Sequence, residues 1–150
     1  MIILEKQTEK KNLYHRISQN EFSECKINSL SMLSLDQFIK AENIIKKKDI
    51  KLGIFLDSDQ SLDFISDKLK SLSIIQINFK SFKDGRPFSM AKKLRKYYLY
   101  EGEIRASGYI LPDQYVFLLR CGFSTVEIDG DDKEDWIELY EMDEGLYYQP

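Results

Sequence analysis

Residues 73–107 read SIIQINFKSFKDGRPFSMAKKLRKYYLYEGEIRAS, and the fold turns on how this stretch is parsed. Ser73 to Phe79 is a short apolar run of strand character, closed by a charged turn. Pro87 suits the first turn of a helix, and Phe88, Ala91, Leu94 and Tyr98 recur at helical spacing over Pro87 to Tyr98. Glu103 to Ser107 is again strand-like. A strand, a helix and a strand joined by short links cannot form a hairpin. They form a βαβ unit with parallel strands.

Working outward, the same alternation continues. Leu52 to Leu56 is a buried strand closed by Asp57-Ser58-Asp59, and Leu62, Phe64, Ile65, Leu69 and Leu72 mark an amphipathic helix before the next strand. On the other side Pro112 opens a helix carrying Tyr115, Val116, Leu118 and Leu119, with Gly122 in the position of a C-terminal cap. Phe123 to Ile128 is a fourth strand. Asp132 to Met142 is an acidic helix with Trp136, Ile137 and Tyr140 inward, followed by a tail from Leu146 to Pro150. Ser34 reads as the N-cap of an earlier helix that runs to Lys46-Lys47-Lys48. Residues 1–33 form an arm or hairpin, with short strands at Ile2 to Leu4 and Leu13 to Ile17. The expected fold is α/β: an open, mainly parallel sheet of about four strands built from successive βα units. It forms a single domain over residues 1–150. The N-terminal hairpin, the C-terminal tail or a second subunit in a homodimer would cover the sheet edges.

Composition narrows the function. The chain has 150 residues, nine Phe, nine Tyr and one Trp, enough for one well-filled core. No apolar run reaches the roughly 20 residues that span a bilayer. The N-terminal MIILEKQTEKK lacks a secretory pattern. Cys25 and Cys121 do not suggest a disulfide framework, so a reducing cytoplasm is the expected compartment. His15 is the only histidine, which leaves nothing to build a zinc site or a catalytic triad. Lys80 to Lys96 is basic apart from Asp84, and Glu127 to Glu144 carries ten acids against Lys133. Either these are two solvated faces, or a patch that attracts anions sits beside an acidic lobe. The acidic balance, net −3, and the lack of a recognition motif argue against nucleic acid. No membrane association, metal or cofactor is expected.

Open parallel sheets bind ligands outside the carboxyl ends of their strands. That end carries Asp57, Ser58, Asp59, Lys80, Lys83, Asp84, Gly85, Arg86, Ser107, Gly108, Asp113, Gln114 and Asp129. Arg86 stands at a helix start, where free amides favour anions and a guanidinium adds a planar fork. Gly85 allows close approach. The plain alternative is that Asp84 caps the helix, Gly85 turns the chain, and Arg86 pairs with Asp84 or Asp57. Arg105 lies in mid-strand, where it either faces water on an edge or needs a buried partner such as Asp84 or Asp113. Cys121 reads as a small core residue, and Asp129-Gly130-Asp131-Asp132 as a turn with an N-cap.

The stretches DGRPFSMAKKLR and GEIRASGYILPDQYVFLLRCGF resemble a bacterial family of unknown function. Its pattern runs DGR-x-[FY]-S-x-A-x-x-LR, then GELRA-x-G, then DQ-x-x-x-LRRCGF. The matches are Asp84, Gly85, Arg86, Phe88, Ser89, Ala91, Leu94 and Arg95, then Gly102, Glu103, Arg105, Ala106, Gly108, Asp113, Gln114, Arg120, Cys121, Gly122 and Phe123. Tyr148-Gln149-Pro150 is similar to the family's end. Tyr109 and Pro112 depart from the pattern, which has Asp and Arg there. Members are often labelled oxidoreductases involved in sulfite reduction, so the resemblance implies an accessory role in assimilatory sulfite reduction with sulfite reductase as a partner. The residues show no cysteine cluster, dinucleotide fingerprint or flavin signature, which argues against a stand-alone redox enzyme. The expected site holds a small anion or a protein partner on Arg86, with Asp84, Gly85, Arg105, Ser107, Asp113 and Gln114 around it. The alternatives are a small enzyme using Asp84 or Asp113 as acid or base, and a structural subunit in which Asp84, Arg86 and Arg105 satisfy one another.

Overall fold

Ile75, Ile77 and Phe79 alternate along one strand with Ile74, Gln76 and Asn78, and the two sets meet different surroundings. The first set packs under helices. The second faces the hollow of a curled sheet. In the computed structural model, which describes residues 1–23 and 26–144, the strands are β1 (Ile2–Glu5), β2 (Thr8–Lys10), β3 (His15–Arg16), β4 (Ser31–Ser34), β5 (Leu52–Asp57), β6 (Leu72–Phe79), β7 (Glu103–Gly108) and β8 (Thr125–Ile128). The helices are α1 (Leu35–Lys40), α2 (Glu42–Lys48), α3 (Arg86–Lys96), α4 (Tyr115–Cys121) and α5 (Lys133–Asp143). The tail from Leu146 to Pro150, with its family-like ending, and Cys25 lie outside the described residues.

The α/β class and the βα succession hold, but the sheet has eight strands rather than about four. Their order is β2-β1-β8-β7-β6-β5-β4-β3. β3 to β8 are parallel and sit in chain order, while β1 pairs antiparallel with both β2 and β8. The N-terminal arm is therefore a hairpin attached to the last strand, plus two short parallel strands before β5. β3 and β4 are too short, at two and four residues, to carry a periodic signal.

Strands laid down one after another in the same direction, with crossovers of one hand, put every helix on one face. The core reflects this. Leu4, Leu33, Ile54, Ile75, Ile104 and Val126 share a cluster with Phe38, Leu94, Leu118 and Trp136, while the buried Ile3, Met32 and Ile74 lie outside it, on the other face. The expected helix over 62–72 is instead two single 3-10 turns, Leu62–Phe64 and Leu69–Ser71, that bury Leu62 and Ile65. Ser34 caps α1 in a reciprocal box with Gln37, and Asp129 caps the turn before α5, both as the sequence indicated, but the single helix expected from Ser34 to the lysine run is two, α1 and α2, which meet at Ala41.

The sheet cannot be flat. Lys10 ends β2 at one edge and His15 begins β3 at the other. Five residue steps reach at most ~18 Å, whereas seven strand spacings in a flat sheet would be ~34 Å. The sheet curls until its edges approach, and Lys11 to Tyr14 crosses the mouth as a strap. Asn12 accepts from Arg105 Nη1 at 3.1 Å, and the Tyr14 hydroxyl lies 2.8 Å from Ser73 Oγ.

The inner face is polar yet closed. Gln76, Arg105, Ser107 and Thr125 are all buried. Glu103 Oε2 accepts from Arg105 Nη2 (3.0 Å) and Nε (3.3 Å) and from Thr125 Oγ1 (2.8 Å), and Gln76 donates to Glu127 at 2.9 Å. Arg16 stacks over Phe55 at 3.7 Å. On the outer side Arg95 clamps the start of β7 to the end of α4. It donates to the carbonyls of Tyr100, Gly102 and Gly122 and to Ser124 Oγ, all within 2.9 Å. Gly122 ends α4 at φ +119, where an added Cβ would stand 2.6 Å from Arg95 Cγ.

Removing the arginine of a buried pair leaves its carboxylate uncompensated, so Arg105→Ala is expected to lower the unfolding free energy by about 3–5 kcal/mol. Gly122→Ala, strained at positive φ and crowded by Arg95, is expected to cost more than about 1 kcal/mol. Urea titrations of the two variants against the parent measure both.

Candidate functional site

β5, β6 and β7 end side by side, with Asp57, Asn78 and Ser107 in register across the rim. Asn78 donates to Asp57 Oδ1 at 3.0 Å, and Ser107 Oγ lies 3.5 Å from Asn78 Oδ1. Above them the link from β6 to α3 folds back through Ser81 to Gly85. Asp84 caps the start of α3, accepting from Arg86 N at 3.2 Å, and its carboxylate also takes Arg86 Nε at 2.9 Å and Nη2 at 3.2 Å. Nη2 reaches on to the buried Ser58 Oγ at 3.1 Å. Lys80 and Asp59 pair alongside at 3.1 Å.

The two members of the Asp84–Arg86 pair differ in exposure. The Asp84 side chain is 5% exposed, and that of Arg86 is 56% exposed. Hydrogen bonding from the Arg86 guanidinium is the main cause that holds the Asp84 carboxyl well below the usual carboxylate range, against the opposing effect of burial. Asp84 in turn raises the guanidinium. A covered carboxylate thus fixes the direction of an arginine that is still more than half exposed and whose Nη1 has no hydrogen-bond partner among the described residues. Gly85 has ordinary helical geometry, φ −91, so no turn requires a glycine there. Beyond its chain neighbours no atom lies within 4 Å of where a Cβ would be, which makes the position open space.

The other expected site residues lie elsewhere. Arg105 is 3% exposed and faces the inner curl, where Glu103 and Asn12 rather than Asp84 or Asp113 are its partners. Ser107 belongs to the buried rim row. Gln114 accepts from Leu111 N at 2.8 Å, a local cap on the turn Pro112–Gln114. Asp113 is exposed and lines a groove of ≈ 450 Å³ with Leu111, Pro112, Asp135, Glu138 and Leu139. Of the expected constellation, then, Asp84, Gly85 and Arg86 stand together, and Arg105, Asp113 and Gln114 stand apart. Cys121 is buried, and that burial pushes its thiol up, as suits a core residue.

Sequence reasoning passed over an aromatic pair beside this cluster. Phe82 precedes Asp84 in the same loop, and Tyr109 follows β7, tied by its amide to Phe79 O at 3.0 Å. Their rings meet edge to face at 5.1 Å, yet Phe82 is 53% and Tyr109 52% exposed. The available signals were Phe82, an aromatic in an otherwise charged turn, and Tyr109, a departure from the family pattern.

A curled, one-sidedly wound α/β sheet with a polar interior, a fixed arginine and exposed aromatics on its carboxyl rim defines a small α/β protein whose rim is its most chemically distinctive surface. The chain belongs to the family described as bacterial protein of unknown function (DUF934), whose model matches residues 53–150, about two thirds of its length. That span begins in β5, so it contains the rim and the Glu103–Arg105 pair but not Asn12 or the strap. No curated protein matches the chain. No helix among the described residues is long and apolar enough to cross a membrane.

The titration of Asp84 has a visible consequence. A folded value below the unfolded one means that this carboxylate contributes its full stability above the unfolded value, about 3.9, and loses it as pH falls through the folded value. The melting temperature of the parent is therefore expected to fall on acidification below about pH 4, and Asp84→Asn to make that fall shallower. Thermal unfolding followed from about pH 7 down to about pH 2 measures the difference in slope.

Proposed function

We propose that this protein is a non-catalytic accessory subunit of assimilatory sulfite reduction that docks onto sulfite reductase through the carboxyl rim of its sheet. The observation that carries the docking reading is the exposed Phe82–Tyr109 pair, with Phe82 on the same link from β6 to α3 that ends at the exposed Arg86. Aromatic residues and arginine dominate the few positions that supply most binding energy at interfaces. Arg86 is held in place by Asp84 and Ser58 before any partner arrives, so little side-chain entropy is lost on docking. Open space over Gly85 lets a partner's backbone approach closely. The link to sulfite reduction rests on the family resemblance in DGRPF, GEIRA and LLRCGF.

A second reading is favoured by the same exposed guanidinium: a small oxyanion such as sulfite or sulfate binding over Gly85 at the start of α3. Both readings use Asp84 to orient Arg86 and neither asks for a bond to be made or broken.

Calorimetric titration against purified sulfite reductase tests the proposal. Tyr109→Ala and Arg86→Ala are each expected to weaken binding by at least about tenfold, as hot-spot truncations do. Gly85→Ala, with nothing to clash against in the free protein, is expected to leave the melting temperature unchanged while also weakening binding. Binding that is absent in the parent, or equal in all variants, overturns the docking reading. A melting-temperature rise with sulfite or sulfate that Arg86→Ala abolishes would establish the anion instead.

A further inference from the structure

A guanidinium binds an oxyanion as a fork only through two parallel N–H groups, either from Nε and Nη2 or from Nη1 and Nη2. In Arg86 the first pair is taken. Nε and Nη2 hold the two oxygens of Asp84 at 2.9 and 3.2 Å, and Nη2 also donates to Ser58 Oγ at 3.1 Å. Both hydrogens of Nη2 are therefore spent, and the second fork is spent with them. What is left is Nη1, whose two N–H groups diverge, each suited to a single oxygen.

The start of α3 offers an anion little more. Arg86 N is bonded to Asp84 Oδ1 at 3.2 Å, and Pro87 has no N–H, so the first two amides of the helix are not there to hold one. Charge does not compensate. Asp57-Ser58-Asp59 and the link from Lys80 to Arg86 carry three acids, Asp57, Asp59 and Asp84, against three bases, Lys80, Lys83 and Arg86. Lys80 is paired with Asp59 at 3.1 Å, and Arg86 with Asp84. The first part of the run that reads as basic in the sequence is thus neutral once the end of β5 beside it is counted.

Resting on the docking reading, we infer that the rim recognises an uncharged, extended stretch of its partner's chain: a main-chain carbonyl accepts from Arg86 Nη1, and an apolar side chain of the same stretch packs on Phe82 and Tyr109. A carbonyl asks for what Nη1 offers, one donor to one oxygen. A carboxylate would have to shed its water against a cluster with no net charge to offset the loss. The two contacts lie within reach of one short segment. Phe82 stands four residues before Arg86, so their Cα atoms are at most ~14 Å apart. The turn in which Asp84 N donates to Ser81 O at 3.2 Å shortens that span. An extended peptide covers it in about four residues. The Phe82 and Tyr109 rings meet edge to face and each remains about half exposed, which leaves ring surface for an apolar side chain. Gly85, with open space over it, lies on the link between the two contacts.

Salt and charge reversal separate this from recognition of an anion or of an acidic partner. In calorimetric titration against purified sulfite reductase, the parent's affinity is expected to change by less than about threefold between about 0.05 M and about 0.5 M sodium chloride. Lys83→Glu is expected to leave the affinity within the same range, and about 10 mM sulfate at constant ionic strength is expected not to compete. Arg86→Ala is expected to bind at least about tenfold more weakly at both salt concentrations, because a directed hydrogen bond is lost rather than a long-range attraction. Affinity that falls further than this in high salt, that drops in Lys83→Glu, that sulfate displaces, or that Arg86→Ala leaves intact would each overturn the inference while docking itself stands. A parent that does not bind sulfite reductase in low salt overturns the docking reading and the inference with it.

Discussion

The link from Lys10 to His15 has to reach from one edge of an eight-stranded sheet to the other, and it is too short to do so across a flat one. Most of the architecture follows from that constraint. The sheet must curl, the curl creates an inner face, and the strap lies over the mouth of that face. Residues that would otherwise look into solvent are enclosed. Gln76, Arg105 and Thr125 are buried although no helix covers them. A buried guanidinium is tolerated only where its hydrogen bonds are complete. Glu103 completes them from the same strand and Asn12 from the strap. The curl and the polar network thus depend on each other: without the strap Arg105 loses a partner, and without Arg105 the strap loses an anchor.

Several residues of the family-like pattern do structural work. Arg95 closes the carbonyls of Tyr100, Gly102 and Gly122, and Gly122 is the only residue type that fits beneath it at that backbone angle. Glu103 and Arg105 fill the interior. Gln114 caps a turn. Of the pattern residues left at the surface, Ser89, Asp113 and Arg120 are exposed on the helices and the turn Pro112–Gln114, and Arg86 is the one whose direction a covered acid fixes. A surface arginine with a covered acid behind it is a different object from a free one, because its charge is half-neutralised while its direction is fixed. Such a group suits orientation-dependent recognition better than long-range attraction.

How much of this could be read from the sequence varies by element. The strands over 52–57, 72–79, 103–108 and 125–128 and the helices after Arg86, Pro112 and Lys133 were legible because each has its own apolar period and its own cap or proline. The segment 62–72 misled because Leu62, Ile65 and Leu69 recur at helical spacing, yet two single 3-10 turns bury the same side chains. β3 falls within the short strand expected over Leu13 to Ile17, although only His15–Arg16 forms it, whereas β4 was illegible, being too short for a periodic signal. The partner of Arg105 was illegible too: Asn12 lies 93 residues away, and only the curl brings it near. Asp84 and Arg86 were found together because their contact is local in sequence. Asp113 and Gln114 were grouped with them because strand ends were treated as one rim, whereas the turn Pro112–Gln114 faces α5 instead.

The pairing of β1 with β8 bears on synthesis. Ile2 to Leu4 are partnered by Val126 to Ile128, so β1 waits for its second neighbour until all of β2 to β7 have been made. Until β8 emerges the hairpin has only itself for company, and a two-stranded hairpin alone is marginal in water. The parallel strands can add one at a time behind it, each crossover local, but the strap cannot close and Arg105 cannot be enclosed until β8 has emerged. Pairings of such long sequence separation are slow to form and leave apolar edges open while they wait. Until then the side of β1 that will meet β8 is open, although Ile3 and Leu4 already pair with β2. The lysines and glutamates that crowd residues 5 to 11 keep that exposed edge charged during this period.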